Sequence, residues 1–575
     1  MHIKQELTGT RFVVVAGGVI SGVGKGVATA SIGKIFKEYG FKTTIIKIDP
    51  YINFDAGTLR PTEHGEVWVT ADGGEIDQDL GTYERFLDED IAKANNITTG
   101  QIYKAVIDRE RRGEYLGQTV QFIPHIIDEV IARVKSAAQG YDIVVVEIGG
   151  TVGDYENAPF LYALKSLERD LGYQRILYTL VTYLPVPGHI GEMKTKPTQQ
   201  AIRLLNEHGI SPDFVLCRTE CPLDEARRKK IVEFSHIDPE HVIAAPNVQS
   251  VYEIPLNFEE QKLGAKMLAQ FGLTALKTPS WDAWRTRVNT IIKPQKKVKI
   301  GIVGKYLNAG AQSLTDSYLS VCHAIVHAGA AQGYGVDIAW IDARDFEKDP
   351  TKVATLALCD GIVVPGGFGD QGVEGKIAAI SYARTQGIPF LGLCYGFQLA
   401  VVEYARAICN LTGAHTTEVA PQTPHPVVTL LPLQQKLLSN NKLGGSMRLG
   451  SYGATIKEDT LVASLYRAMG IDAACVYERH RHRYEVNPLY VAQLEAAGLC
   501  FSGFTKCADA IYLMEYLELP HHPFFVATQA HPEFTSKFMR PNALFYGLVM
   551  AAIKKQEQIH LITSPTSQNL FFTAS

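Results

Sequence analysis

Gly17-Gly18-Val19-Ile20-Ser21-Gly22-Val23-Gly24-Lys25-Gly26 decides the first half of the chain. The β-branched run Phe12-Val13-Val14-Val15 precedes it and reads as a buried strand. Val27 to Tyr39 follows, with apolar residues at helical spacing. Strand, glycine-rich loop and helix make a phosphate cradle: backbone N–H groups approach an anion closely and the helix N-terminus adds a favourable dipole. Lys25 brings a point charge to the outer phosphates. The standard phosphate loop would carry glycine at position 19 and Ser or Thr at 26; this chain has Val19 and Gly26. No hydroxyl directly after the lysine can therefore hold Mg²⁺.

At 575 residues the chain exceeds one hydrophobic core, so two or more domains are expected. A composition 46% hydrophobic and 20% charged belongs to folded protein rather than to disorder. The net charge of −4 gives no global pull toward nucleic acid. The nine cysteines form no CxxC pair, and Cys217 and Cys221 lack the companions of a zinc site. This usage points to a reducing, cytoplasmic compartment. Met1 to Thr10 is polar, unlike a signal peptide, and no apolar run is long enough to span a bilayer.

Phe41 to Ile48 reads as a second strand and runs into the turn Asp49-Pro50-Tyr51-Ile52-Asn53. Ligands of open α/β sheets gather at strand C-terminal ends, which brings Lys47 and Asp49 toward the site. Asp72-Gly73-Gly74-Glu75-Ile76-Asp77-Gln78-Asp79 is acidic, and clustered carboxylates repel unless cations or basic groups sit among them. The strand Tyr141 to Val146 ends in Glu147, as expected of a second Mg²⁺ ligand beside a phosphate loop. A carboxylate from the acidic loop together with Glu147 would then compensate for the missing hydroxyl. Gly191 to Gln200, after the strand Ile176 to Leu184, offers lysines and threonines to a triphosphate or base. Phe214 to Arg218 and Val242 to Ala245 continue the alternation, so a mainly parallel sheet is expected.

Residues 276–297 change character, with Trp281, Trp284 and a basic cluster, and read as a linker bearing an aromatic helix. The expected division is one domain over 1–275, a second over 298–555 and a flexible tail over 556–575. In the second domain Ile388 to Leu393 is a strand feeding a tight turn at Cys394, with a helix from Phe397. Gly392 and Gly396 clear the space that a nucleophile elbow needs, and the helix N-terminus favours the thiolate. His531 and Glu533 stand two apart after the strand Phe524 to Gln529. Extended backbone would turn them to one side, where Glu533 could orient His531 as base for Cys394. Gly366-Gly367-Phe368-Gly369 could supply oxyanion donors. The charge run Glu478 to Glu485 reads as a solvated face, as a nucleic-acid patch that its mixed signs and the lack of wider basic excess disfavour, or as a source of an arginine for a substrate carboxylate.

These motifs together resemble the CTP synthase family. Gly17 to Gly26, Asp49 to Asn53, His64 to Val67, Glu147 to Asp154 and Lys194 to Gln199 look like its synthetase half. Cys394, Arg479 to Asn487 and His531-Pro532-Glu533 look like its class I glutamine amidotransferase half. The likeness covers about residues 10 to 550, in the family's order. It implies an α/β chain with two doubly wound, mainly parallel-sheet domains, a phosphate-loop, Rossmann-like amidoligase and a class I glutaminase. It implies that ATP phosphorylates O4 of UTP and that ammonia from glutamine displaces the phosphate to give CTP. By that resemblance Gly22, Val23, Gly24, Lys25, Gly26, Val27, Lys47, Asp79, Pro246, Asn247 and Val248 hold ATP, and Asp79 and Glu147 hold Mg²⁺. Ser21, Asp154, Tyr155, Glu156, Lys194, Thr195, Lys196, Pro197, Thr198, Gln199 and Lys230 hold UTP, or CTP as feedback inhibitor. Cys394 is the nucleophile, His531 the base and Glu533 its orienter. Gly367, Tyr395, Gly396, Phe397, Gln398, Glu418 and Arg483 bind glutamine, and His64 lines the ammonia passage. GTP activation, a homotetramer and filaments are implied as well.

Three departures stand out: Tyr395 where leucine is common after the nucleophile, Tyr155 where isoleucine is frequent, and a longer Asn308 to Leu314 near where GTP would act. Two other readings stay open at this point. One is a different glutamine-dependent ATP amidoligase of the cobyric-acid type, which the Lys194 to Gln199 loop disfavours. The other is a non-catalytic nucleotide switch or filament protein, which the intact Lys25, Asp79, Glu147, Cys394, His531 and Glu533 set disfavours.

Overall fold

The computed structural model describes residues 9–59, 65–189, 191–305, 316–367, 369–430, 447–506 and 512–563. Its contacts divide the chain into two units, one of residues 1–58 and 75–288, the other of residues 59–74 and 289–575.

Runs such as Ile143–Ile148 and Arg11–Gly17 are buried almost end to end, the mark of strands covered on both faces. In the first unit they build a seven-stranded sheet. Its spatial order is Asn96–Thr98, Thr43–Asp49, Ile143–Ile148, Arg11–Gly17, Ile176–Tyr183, Phe214–Thr219 and Val242–Pro246, and every pairing is parallel. Arg11–Gly17 lies in the middle, and Lys47 and Val15 both pair in register with Glu147. The strand order reverses beside that central strand, where open α/β sheets bind ligands.

The second unit carries a nine-stranded sheet. Gly335–Asp342, Lys297–Gly304, Gly361–Val364, Phe390–Leu393 and Phe525–Thr528 run parallel. Tyr512–Glu518, Cys500–Lys506, Arg448–Ile456 and Val476–His482 extend it antiparallel. Alternate residues feed opposite cores: Phe390 and Val364 join one cluster, Leu391 and Val363 the other. The antiparallel extension was not foreseen from sequence, because a charge run supplies part of it. Glu478, Arg479, His480 and His482 are buried, so Val476–His482 is a covered edge strand and not a solvated face.

Three local expectations need correction. The helix after Cys394 starts at Tyr395, two residues earlier than Phe397, because Cys394 itself serves as its N-cap. Pro532–Phe534 is a 3₁₀ turn, not extended backbone. The helix Ala543–Thr563 runs on through residues expected to fray, since its apolar residues as far as Ala552 pack into the core. In the 276–297 stretch the helix Asp282–Ile292 carries Trp284, which is buried against Phe86 and Tyr252 and donates its indole N–H to Tyr252 O at 2.8 Å. The division between the units falls within that helix.

Candidate active sites

In the first unit the loop Gly18 to Gly24 joins the central strand to the helix Lys25–Glu38. Lys25 Nζ folds back to donate to Gly150 O at 2.6 Å, and burial lowers its pKa. Gly26 explains the missing Ser or Thr: a Cβ there would lie 2.6 Å from Asp79 Oδ1. The carboxylate occupies the space that a hydroxyl-bearing side chain would need. Asp79 opens the helix Asp79–Leu87 and pairs with Lys47 Nζ, which also meets Glu147 Oε1 at 3.0 Å and Asp49 Oδ1 at 3.8 Å. Burial alone would lower the Lys47 pKa, but Asp79 and Glu147 outweigh it and hold the ammonium charged. Burial and the neighbouring Asp79 push Asp77 up to about 7. Tyr83 donates to the other oxygen of Glu147.

The expected nucleotide loops sit at the ends of the same strands. Asp154 accepts from Thr151 N–H at 2.6 Å and from its hydroxyl at 3.0 Å, which ties the Gly149–Asp154 turn. Lys194 Nζ meets Glu192 at 2.9 Å, and Arg227 holds the second oxygen of that carboxylate at 2.6 Å. Lys196 begins the helix Lys196–Glu207, and buried Thr198 shares a 3.0 Å hydrogen bond with Thr182. Ser21, Glu156 and Lys230 are exposed, and Tyr155 is 94% exposed, so Tyr155 and Lys230 face solvent in this unit. Arg218 was missed in the sequence reading. Its Nε donates to Asn247 Oδ1 at 2.9 Å, and a Cβ on Gly24 would lie 2.9 Å from its Nη1. It therefore joins the phosphate loop to the Pro246–Val248 turn; its place as the next-to-last residue of Phe214–Thr219 was the available signal.

In the second unit Cys394 is the single residue between the strand Phe390–Leu393 and the helix Tyr395–Ala407. It adopts φ 49°, ψ −97°, a region costing on the order of 1–3 kcal/mol that is typical of functional turns. Its N–H donates to Thr528 O at 2.8 Å, which locks the elbow to the next strand. A Cβ on Gly396 would come 2.0 Å from Val364 O, so the helix can approach that strand only with glycine there. His531 Nδ1 and Glu533 Oε1 are 2.7 Å apart across the 3₁₀ turn. Burial would lower the His531 pKa, but Glu533 and Cys394 outweigh it and raise it well above the ordinary value. A Cβ on Gly366 would lie 3.0 Å from His531 Cε1 and 3.7 Å from Cys394 Cβ, so this loop faces both groups.

Around that centre, Glu418 Oε1 accepts from Gly369 N–H at 3.0 Å. Gln398 donates to Tyr484 O at 3.0 Å, and among the described residues nothing donates to its buried Oε1. Phe397 and Tyr395 are buried, whereas Arg483 is part-exposed. Sequence reasoning missed Gln529, whose amide lies 3.8 Å from Cys394 Sγ. It also missed Trp68. Residues 66–73 belong to the second unit, where Trp68 is fully buried 4.9 Å from the Phe534 ring and under the Arg479 guanidinium. Arg479 donates to Val69 O at 2.9 Å, and its own carbonyl accepts from His531 N–H at 2.7 Å. His64 and Asn308 to Leu314 lie outside the described residues.

Comparison with known proteins agrees with this pairing of sites. Residues 11–273 match the family described as "CTP synthase N-terminus" and residues 313–551 match "Glutamine amidotransferase class-I". A CTP synthase of Thermococcus kodakarensis is 51% identical over 547 residues, covering 95% of this chain and 99% of that protein. One from Methanocaldococcus jannaschii is 49% identical, covering 94% of this chain and 98% of that protein. Among solved structures, the glutaminase domain of Trypanosoma brucei CTPS with bound acivicin is 37% identical, with a TM-score of 0.41, over 45% of this chain and 94% of that one. Two site-bearing units in one order, matched along nearly their whole length at this identity, establish that the chain belongs to the CTP synthase family.

Proposed function

We propose that the chain aminates UTP to CTP with ATP, using ammonia released from glutamine in the second unit. The observation that carries the reading is the coexistence of two complete chemistries. One is a phosphate loop beside a carboxylate-caged Lys47; the other is a strained Cys394 beside a His531–Glu533 pair.

In the synthetase site Lys25 and the loop amides hold the phosphates. Lys47 neutralises charge as the γ-phosphoryl group passes to O4 of UTP. Asp79 and Glu147 fit Mg²⁺ as hard oxygen donors: both carboxylates reach the Lys47 ammonium, and Gly26 leaves Asp79 room. Bound there, Mg²⁺ would offset charge on the phosphate oxygens. Ser21, Asp154 to Glu156, Lys194 to Gln199 and Lys230 hold the uridine nucleotide, and Arg218 and Pro246 to Val248 flank the adenosine.

In the glutaminase site the Cys394 thiolate attacks the side-chain carbonyl carbon of glutamine, and backbone amides of the Gly366–Gly367 loop face the oxyanion. His531 gives its proton to the departing nitrogen, ammonia leaves, and a thioester remains. Water, deprotonated by His531, then releases glutamate. Arg483 and Glu418 hold the α-carboxylate and α-amino group, and Gln398 contacts the side-chain amide. The same reading implies GTP activation, feedback by CTP, a homotetramer and a cytoplasmic setting. No described helix is long and apolar enough to cross a membrane.

The test is product formation from UTP, Mg-ATP and either glutamine or free ammonia. CTP from both nitrogen sources upholds the reading. Glutamine hydrolysis without amination of UTP would return the chain to the amidoligase alternative.

A further inference from the structure

Lys376 is fully buried on the helix Val373–Gln386, yet nothing in the glutaminase chemistry above uses it. Its Nζ donates to Pro365 O at 3.0 Å and lies 5.7 Å from the centre of the Tyr395 ring. Pro365 begins the loop that faces the nucleophile. A Cβ on Gly367 would stand 3.7 Å from Lys376 Nζ, and one on Gly366 would stand 3.7 Å from Cys394 Cβ. The ammonium therefore lies behind the loop whose other side meets the thiol. Its titratable neighbours are Lys305, whose Nζ lies 5.8 Å from the centre of the same ring, and Cys394. Burying an ammonium is costly, and a second lysine nearby adds to the cost. Burial and then Lys305 pull its pKa down to about 7, with Cys394 opposing them. A group held against such a penalty is a candidate for function, where stability is commonly given up.

We propose that Lys376 is a positioning residue for glutamine hydrolysis. Its ammonium ties down the Pro365–Gly367 backbone and holds a fixed positive charge behind the thiolate and the oxyanion that follows. The inference rests on the reading of Cys394 as nucleophile. A cation aimed at developing negative charge in a water-poor site favours the transition state over bound glutamine, so it acts on kcat more than on KM. It would act whenever that lysine is protonated, and each thiolate or oxyanion formed would help keep it so.

The test measures glutamine hydrolysis and thermal melting of the full chain as wild type, Lys376→Met, Lys376→Gln and Cys394→Ala. Lys376→Met is expected to lower kcat by about 10- to 100-fold, less than the roughly 10²- to 10³-fold for losing a direct oxyanion donor because the lysine acts from behind the loop, with KM for glutamine within about threefold. Its Tm is expected to match or exceed wild type, because a penalised charge has been removed. Lys376→Gln keeps a donor for Pro365 but no charge, and its kcat is expected to stay at least about fivefold low. Wild-type kcat in either variant overturns the inference. A lower Tm or failure to fold in Lys376→Met overturns it too, since the ammonium would then be part of the fold. If Cys394→Ala still hydrolyses glutamine, the nucleophile reading itself falls. If Cys394→Ala is dead while Lys376→Met is unimpaired, only the role of Lys376 falls.

Discussion

The two sites are the same construction at two lengths. Each stands where a parallel strand gives way to a helix. In the first unit the connection runs from Gly18 to Gly24, and glycines take the left-handed angles: Gly22 at φ 72° and Gly24 at φ 86°. In the second it is Cys394 alone, and a non-glycine residue carries the strain at φ 49°. The long connection leaves backbone N–H groups for an anion; the short one projects a side chain. Their buried lysines differ in the same sense. Lys47 is surrounded by carboxylates that keep it protonated, whereas Lys376 faces a thiol and another lysine, and burial and that lysine bring its pKa down to about 7. On the proposed reading, one site meets a polyanion that must be neutralised, the other a single negative charge that comes and goes.

The sharpest way to break the comparison is to remove the central group of each site. Cys394→Ala is expected to abolish glutamine-dependent CTP formation by at least about 10³-fold and to leave ammonia-dependent formation within about twofold. Lys47→Met is expected to abolish both routes by a similar ~10³-fold. It would also lower stability by about 3–5 kcal/mol, because Asp49 and Glu147 would be left buried without a counterion. Steady-state assays with each nitrogen source, beside thermal melting, decide between these patterns. An ammonia-active Lys47→Met would show that phosphoryl transfer does not depend on this cage.

Next in size is Gly26→Ser, which restores the commoner phosphate-loop residue. Its Cβ would meet the Asp79 carboxylate, so ammonia-dependent synthesis is expected to fall about 10²-fold. A variant as active as wild type would show that Asp79 can yield the space at no cost.

Glu533→Gln probes the histidine. Burial lowers the His531 pKa, and the Glu533 charge is the main force that raises it, so the variant is expected to lose about 10- to 100-fold in glutaminase kcat. A raised folded pKa contributes stability that is fully present below about pH 6.5 and is lost as pH rises through the folded value. The Tm difference between wild type and variant is therefore expected to be larger at pH 6 than at pH 9. Equal differences at both would mean that His531 and Glu533 do not share a charge.

The smallest effect is expected at Arg218→Met, a threefold to tenfold rise in KM for ATP, about 1 kcal/mol, with glutaminase unchanged. An unchanged KM would remove Arg218 from the nucleotide site.

Much of this was legible in the chain. The strand, loop and helix around Lys25, and the strand, turn and helix around Cys394, are written in local periodicity and in glycine spacing. The family resemblance followed from the same short stretches. The pairing of His531 with Glu533 was legible too, although through the wrong backbone: a 3₁₀ turn makes the contact that extended geometry was expected to make. The charge run Glu478 to Glu485 was not legible, because composition reports solvation only when nothing folds over a strand.

What the sequence by itself determined is the local build of each candidate site, since backbone geometry and the placement of Cys394 between strand and helix depend on neighbours along the chain. What only the tertiary structure decided is which groups meet across it. It brings the Asp79 carboxylate into the space above Gly26 and gathers Asp49, Asp79 and Glu147 on Lys47. It packs Trp68 into the second unit behind His531 and buries Lys376 behind the loop that faces Cys394. Desolvation and charge pairing depend on distances in space between residues tens to hundreds of positions apart, and no local pattern encodes those distances.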